Sequence, residues 1–453
     1  MIITAGSAAA QTFFCEVDAA KVTLRVPVPE GSSYRVWQNT NPMKVIVDLD
    51  HELPNLPVNR EFKDAALKAV RASRGPGAIG TRIVMDFNYF MPEVESQLDG
   101  EWLTISVNKL YVDSSVITVA HGVRYGHMRK GIAAGPLIIN FIEVRYLDPL
   151  IEIRSVLSQD QIYGRERVSS MAKRSQAIAA ANGLYFAVDG RPLGLLAIDG
   201  RIISEPYANR TAIGIKPGEI VIDQVSLEGR VKLSDGQEFG VSGINRPRLA
   251  DELIIYTPDY GENSRTNIYG VDLIVVDEIV VDKVTGAAVI PKNGIVVSGH
   301  GLARDFLQQV EIGDSIEVEL KLNPDWLEQG FQHIIGGGPR LVKDGQVYIT
   351  AGEERFQADI ASGRAPRTAL GVTADRRLLI VTVNGRQPGI SVGMTLEELA
   401  ELMIELGAVD AMNLDGGGST TMVIRDRVLN IPSDGTERPV SNAIVIITPE
   451  SRE

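Results

Sequence analysis

The chain has 453 residues, 44% of them hydrophobic and 23% charged, which is ordinary globular composition and long enough for two or three domains with full-sized cores. Its formal net charge of −13 leaves no basic excess for neutralising a nucleic-acid backbone, although 45 Lys and Arg can still serve one phosphate in a local pocket. The single cysteine, Cys15, excludes an intrachain disulfide, and no stretch approaches the ~18 consecutive apolar residues of a membrane-spanning helix.

The first residues include Ser7-Ala8-Ala9-Ala10-Gln11, a small-residue pattern of the kind that ends a secretory signal. Residues 1–14 are therefore expected to be the remnant of a signal peptide, with a floppy N-terminus of no meaning as the alternative. A lone cysteine fits either a cytosolic protein or a bacterial envelope protein that avoids thiols. With the signal-like start, the expected location is secreted or in the bacterial cell envelope.

Residues 15–110 are expected to form a β-domain, with strands from 20 to about 108. Period-two alternation runs through Lys21–Val28, Lys44–Asp50, Thr81–Phe87 and Leu103–Val107, with Gly, Pro and Asn between them, as in a small β-sandwich. Tyr34-Arg35-Val36, Asn41 through Leu49 and Arg82 through Phe87 resemble the AMIN domain of bacterial envelope proteins. That resemblance implies binding to cell-wall polymer; a generic β-module without a ligand is the other reading.

Residues 111–453 are expected to form one larger domain, in which 217–330 either insert as a β-subdomain or continue the same sheet. A helix is expected over 164–181, with Val168, Met171, Ala172, Ala177 and Ile178 on one side and a stop at Asn182-Gly183. A second is expected over 395–406, capped by Thr395 with Glu398 three residues on, striped by Leu396, Leu399, Ala400, Met403 and Leu406, and stopped by Gly407. Strands are expected at 271–282, 294–298, 316–322, 378–383 and 442–447. Arg210-Thr211-Ala212-Ile213-Gly214 recurs as Arg367-Thr368-Ala369-Leu370-Gly371, which reads as a structural repeat or as chance. The fold class is therefore α+β: an N-terminal β-sandwich, then a mixed or antiparallel sheet domain with a few packed helices.

Asn413-Leu414-Asp415-Gly416-Gly417-Gly418-Ser419-Thr420-Thr421 is the sharpest candidate site. Three successive glycines suit neither strand nor helix, but they suit a backbone that approaches a ligand or presents its amides to an anion. Asp415 stands at the strand end, and Ser419 and Thr420 add hydroxyls. A tight turn with a capping Asp remains the plainer alternative. Asn182 reads as a helix C-cap or as a sugar-binding amide, and Arg367 and Arg438 as anion clamps or surface ion pairs. Neither this glycine run nor the second one, Gly336-Gly337-Gly338, is followed by the Lys-Ser/Thr of a P-loop, the 5 histidines lack metal-ligand spacing, and no Gly-x-Ser-x-Gly elbow occurs.

Several motifs then fall in one order: Ala180 through Phe186, Gly190 through Gly194, Gly336-Gly337-Gly338-Pro339, Pro366 through Val372, Asn384-Gly385-Arg386, Gly393 through Ala400, Asn413 through Thr421, Asn430 through Gly435, and Arg438 through Ala443. Together they resemble the phosphodiester glycosidase family over about 115–448. Leu184 departs from the family's pattern, where a second Gly is common. The resemblance implies hydrolysis of a sugar 1-phosphodiester, with N-acetylglucosamine as a candidate sugar. Asp415 is then expected to act as nucleophile, as base for a water, or as electrostatic stabiliser. Gly416, Gly417, Gly418, Arg367 and Arg438 are expected to hold phosphate, with Asn182, Asn384, Asn413 and Ser441 on sugar hydroxyls and Ser419 and Thr420 beside them. No cofactor is expected, and a divalent cation on Asp415 and nearby carbonyls stays open. The expected partners are a sugar phosphate and, through the N-terminal domain, wall polymer. The competing readings are a wall-polymer binding protein without activity and a phosphodiesterase that cuts P–O instead of C–O.

Overall fold

The computed structural model describes residues 13–451. Residues 1–12, and so nearly all of the expected signal remnant, lie outside the described residues, whereas Phe14 already opens a strand, Phe14–Val17. The chain divides into two compact units. The first comprises the residues up to Ser115 with 127–139 and 385–392; the second comprises 116–126, 140–384 and the residues from Gly393 onward.

The first unit contains two antiparallel sheets. One has the order Phe14–Val17, Lys21–Pro27, Trp102–Asn108, Val94–Asp99; the other has Tyr34–Thr40, Met43–Leu49, Thr81–Phe87, Leu67–Arg74, Val58–Glu61. Alternation fixes which face is buried, because successive side chains of a strand point to opposite sides. Val22, Leu24 and Val26 of one sheet and Val45, Val47, Ile83 and Met85 of the other enter the same core. The buried Lys109 is held by Asp64 Oδ2 and the Asp18 carbonyl, both at 2.7 Å, so its charge does not stand alone in that core.

In the second unit, strands dominate and helices are short. The expected 164–181 helix is corrected: only Val168–Arg174 is helical, and Ala179–Asn182 is a strand. Gln176 takes φ 51, which ends the helix, and the strand lies between Met422–Ile424 and Asn442–Ile447. Ala179, Ala180 and Ala181 are fully buried there. An alanine run has high helix propensity, but small side chains also let a central strand be covered on both faces, and here tertiary packing prevails. Leu396–Glu405 forms as expected. Thr395 Oγ1 accepts from the Glu398 N–H, Glu398 answers to the Thr395 N–H, and Gly407 follows at φ 95.

Between 226 and 323 lie a three-stranded and a five-stranded sheet. The Leu253–Tyr256 strand is buried on both faces: Leu253 and Ile255 enter a local core with Phe306 and Leu307, while Ile254 and Tyr256 enter the main core. The segment thus has a core of its own and also closes that of the unit.

The five-residue echo marks two similar hairpins in different sheets. Thr211–Lys216 pairs with Glu219–Gln224 and with His333–Gly336, while Arg367–Thr373 pairs with Leu378–Val383 and with Ala408–Asn413. In each, the third strand runs on into a glycine cluster, Gly337-Gly338 in one and Gly416-Gly417-Gly418 in the other.

Candidate active site

The loop after Ala408–Asn413 is fastened by backbone bonds before any side chain matters. Leu414 N–H donates to Thr368 O at 2.8 Å, Gly417 N–H to Pro366 O at 2.9 Å, and Ser419 N–H to Gly416 O at 3.2 Å. The chain curls there into one 3₁₀ turn, Gly417–Ser419. Gly417 sits at φ 62, and at Gly418 a Cβ would stand 2.1 Å from Arg438 Nη2 and 2.3 Å from Asp434 Oδ2. The bare Gly418 is what lets this ion pair descend on the turn. Since the Gly417 N–H is taken by Pro366, the three glycine amides do not all point at a ligand.

Asn182 locks the loop from the neighbouring sheet. Its Nδ2 donates to Asp415 O at 2.7 Å, and its Oδ1 accepts from Thr368 Oγ1 at 2.8 Å and Thr421 N at 3.0 Å. It ends a strand, so the helix C-cap reading falls with the helix. Gly183 follows because a Cβ there would meet the Asn442 amide at 2.5 Å; that amide accepts from Leu184 N–H at 3.0 Å, and the Leu184 side chain is buried in the main core.

Asp415 faces a cavity of about 640 Å³ lined also by Arg165, Tyr185, Phe186, Val188, Leu193, Tyr207, Arg210, Ser419 and Arg438. Burial pushes its carboxyl up from the ordinary carboxylate range to about 6; the Ser419 hydroxyl, the Arg438 guanidinium and the Gly416 N–H act against the rise without cancelling it. Tyr185 donates to Gly338 O at 3.0 Å and accepts from Asn413 Nδ2 at 2.8 Å. Burial first, then the Asp415 charge, pushes the Tyr185 phenol up, so it stays protonated. A carboxyl poised near neutral pH beside a neutral phenol and two guanidinium groups is suited to base or nucleophile chemistry on an anionic substrate.

The two arginines that open the echoed hairpins differ in fate. Arg367 is buried and ties three carbonyls: Nε to Met394 O at 3.0 Å, and Nη2 to Ile360 O at 3.1 Å and Gly363 O at 2.5 Å. It is placed as a brace, and it does not line the cavity. Arg210 does line it. Its guanidinium lies 3.7 Å over the Phe356 ring and 4.7 Å over Tyr207, with Nε on Glu354 O at 3.2 Å. Arg438 also lines the cavity, paired through Nε and Nη2 with Asp434 at 2.8 and 2.7 Å.

The other residues singled out from the sequence do not line the cavity. Asn413 Nδ2 also reaches Gly338 O and Leu414 O. Asn384 Oδ1 accepts from Ile431 N–H at 3.2 Å, Thr420 O accepts from Asn430 Nδ2 at 2.8 Å, and Ser441 O accepts from Ser158 N–H at 2.7 Å; all three side chains are buried. Asp415, Ser419 and Arg438 thus meet in one cavity; Asn182 and Asn413 are bonded to the lining residues Asp415 and Tyr185, whereas Arg367, Asn384, Thr420 and Ser441 do not line it. Arg165, Tyr185, Tyr207 and Arg210 also line the cavity, and no motif in the sequence marks them as site residues. The echo with Arg367 was the one signal in the sequence that pointed to Arg210. Among the described residues, no three His, Cys, Asp or Glu come together as a metal-ligand set.

Residues 269–447 match the family model for phosphodiester glycosidase, which is less than half of the chain. The chain is 32% identical over 124 residues to the SPbeta prophage-derived protein YomE of Bacillus subtilis, covering 27% of this chain and 19% of that one. It is 27% identical over 164 residues to the bovine N-acetylglucosamine-1-phosphodiester alpha-N-acetylglucosaminidase, covering 33% of this chain and 28% of the enzyme. The chain therefore spans less than a third of the length of these relatives. A solved structure of a hypothetical protein from Synechocystis aligns over 97% of this chain and 80% of its own with a TM-score of 0.67 at 21% identity. A Burkholderia pseudomallei K96243 protein, described as a candidate exported protein, aligns over 97% of this chain and all of its own with a TM-score of 0.61 at 21% identity. These two show the fold. No helix among the described residues is long and apolar enough to cross a membrane.

Proposed function

We propose that the chain is a hydrolase of sugar 1-phosphodiesters, with Asp415 as the group that acts at the anomeric carbon. The observation that carries this reading is the Asp415 carboxyl, raised to about 6 by burial in a cavity that also holds Arg210 and Arg438. The match of 269–447 to phosphodiester glycosidases, and the likeness to an enzyme named for N-acetylglucosamine phosphodiesters, support the substrate class.

The phosphate monoester that departs is already a good leaving group, so this reaction needs less general-acid help than an ordinary glycoside, for which two carboxylates are the rule. Above about pH 6, ionised Asp415 either attacks the anomeric carbon or takes a proton from the water that does, and it stabilises the positive charge that develops there. The C–O bond breaks, its electrons leave with the phosphate oxygen, and water supplies the new sugar hydroxyl. Arg210, fixed by its aromatic stack, and Arg438 hold the phosphate oxygens. Asn182 and Arg367 act as positioning residues.

Residues 15–110 are read as an AMIN-like module that holds the enzyme on wall polymer in a secreted or envelope setting. The pattern resemblance supports this, as does the sheet face carrying Trp37, whose Nε1 donates to Asp48 at 3.2 Å beside the bidentate Arg82–Asp48 pair.

The test is release of sugar from N-acetylglucosamine 1-phosphodiesters, with wall polymer incubated in parallel. Arg210→Ala is expected to raise KM for the phosphodiester about tenfold to a hundredfold, the worth of one charge-assisted contact, while KM for a neutral aryl glycoside moves little. Tight binding of polymer with no sugar released from any phosphodiester would make the protein a binding module instead.

A further inference from the structure

We infer that a basic concavity and the leucine-bearing loop beside it dock the second unit onto an anionic phospholipid surface. The place is one end of three neighbouring strands: the start of Val123–Ile132, the end of Gly135–Val144, and the turn between Arg367–Thr373 and Leu378–Val383. There Arg124, Arg145, Arg376 and Arg377 line one cavity of about 730 Å³. Its acidic residues are three, Glu143, Asp148 and Asp375, and each is engaged, Asp375 by Arg377 at 2.6 Å. Glu143 is shared by Arg124 at 3.0 Å and Arg377 at 2.8 Å, and Asp148 is engaged by His121 at 2.6 Å. Arg145 and Arg376 are exposed and have no carboxylate within ion-pair distance among the described residues.

The loop that follows adds an apolar element. Arg145–Ile151 is tied into tight turns by Asp148 N–H to Arg145 O at 3.0 Å, Ile151 N–H to Asp148 O at 3.1 Å, and Leu150 N–H to Asp148 Oδ1 at 3.0 Å. It thereby presents Leu147 and Leu150, 48% and 58% exposed. Both line a second cavity, of about 900 Å³, with Pro149, Ile151, Ile215 and Pro217, and Leu147, Asp148 and Pro149 are common to the two cavities. Unpaired guanidinium groups next to protruding leucines match the layering of a lipid surface, with phosphates outside and acyl chains beneath. The net charge of −13 does not oppose this, because at physiological salt a charge is felt over only about 8 Å. None of these residues lines the Asp415 cavity, so the inference is independent of the proposed reaction.

The experiment is cosedimentation of the full chain with vesicles of phosphatidylcholine alone or mixed with phosphatidylglycerol. The wild type is expected to partition onto the phosphatidylglycerol vesicles and to be released by high salt. Arg145→Glu with Arg376→Glu, and separately Leu147→Ser with Leu150→Ser, are each expected to weaken partitioning at least about tenfold. All four positions are exposed, so unchanged melting curves check that the variants fold. Failure of the wild type to bind phosphatidylglycerol vesicles, or variants that bind as the wild type does, would overturn the inference. So would equal binding to phosphatidylcholine alone.

Discussion

Asp415→Asn is expected to lower kcat on a sugar 1-phosphodiester by about a thousandfold, the range that positioned acid–base and nucleophilic groups supply, with KM changed far less. The substitution keeps the shape of the side chain and removes its charge, and the loop itself is held by Asn182, Thr368 and Pro366 through backbone atoms. The wild-type rate is expected to fall as pH drops through about 6, where Asp415 takes up its proton. The same group makes a prediction for stability. An acid whose pKa is higher in the folded than in the unfolded chain binds more protons when folded, so its ionisation opposes folding above about pH 6, and the penalty disappears below the unfolded value near 4. Asp415→Asn should therefore melt higher than the wild type at pH 8, by at most about 3 kcal/mol and by less to the extent that water reaches the carboxylate. The difference should shrink towards zero as pH falls to 4. Melting curves at several pH values check this; a variant less stable at pH 8 would contradict the view that burial of the charge dominates at Asp415.

Asn182→Leu is expected to cost both stability and turnover. The leucine is close in size, but it leaves the Thr421 N–H and the Thr368 hydroxyl without their acceptor and the Asp415 carbonyl without its donor. Each buried polar group orphaned in this way costs about 1–3 kcal/mol. With three groups orphaned, a loss of about 3 kcal/mol or more is expected in denaturant unfolding. The folded fraction should show a kcat reduced at least about tenfold, because the loop that carries Asp415 loses its tie to the Ala179–Asn182 strand. Asn182→Asp separates the two effects: it keeps an acceptor for Thr421 and Thr368 but turns the Nδ2 donor into a second oxygen facing the Asp415 carbonyl. Wild-type turnover in both variants would remove Asn182 from the positioning of Asp415.

The parts of the fold that could be read in advance are those where one physical signal dominates. Val22, Leu24 and Val26 alternate with polar residues because one face of their sheet is covered and the other is not, and the same pattern places Ile83 and Met85. Thr395, Glu398 and Gly407 mark the ends of a helix through hydrogen bonds local to the chain. Ala177–Asn182 misleads because nothing local distinguishes an alanine-rich helix from an alanine-rich central strand; the neighbours that decide it are some 240 to 270 residues away. The Asp415 loop was visible in its glycines. The reasons for those glycines were not, since Gly418 answers to the Arg438–Asp434 pair and Gly416 to Pro366 O, 2.7 Å from where its Cβ would stand. Likewise Arg367 and Arg210 open the same five-residue pattern. Only the three-dimensional arrangement turns the first onto backbone carbonyls and the second onto Phe356 at the edge of the cavity.

Hydrolysis of an N-acetylglucosamine 1-phosphodiester in water enriched in ¹⁸O tests the proposed chemistry most directly. Attack at the anomeric carbon puts the label in the released sugar and none in the phosphomonoester. Label in the phosphate would mean that the P–O bond is cut, and would contradict the role given to Asp415.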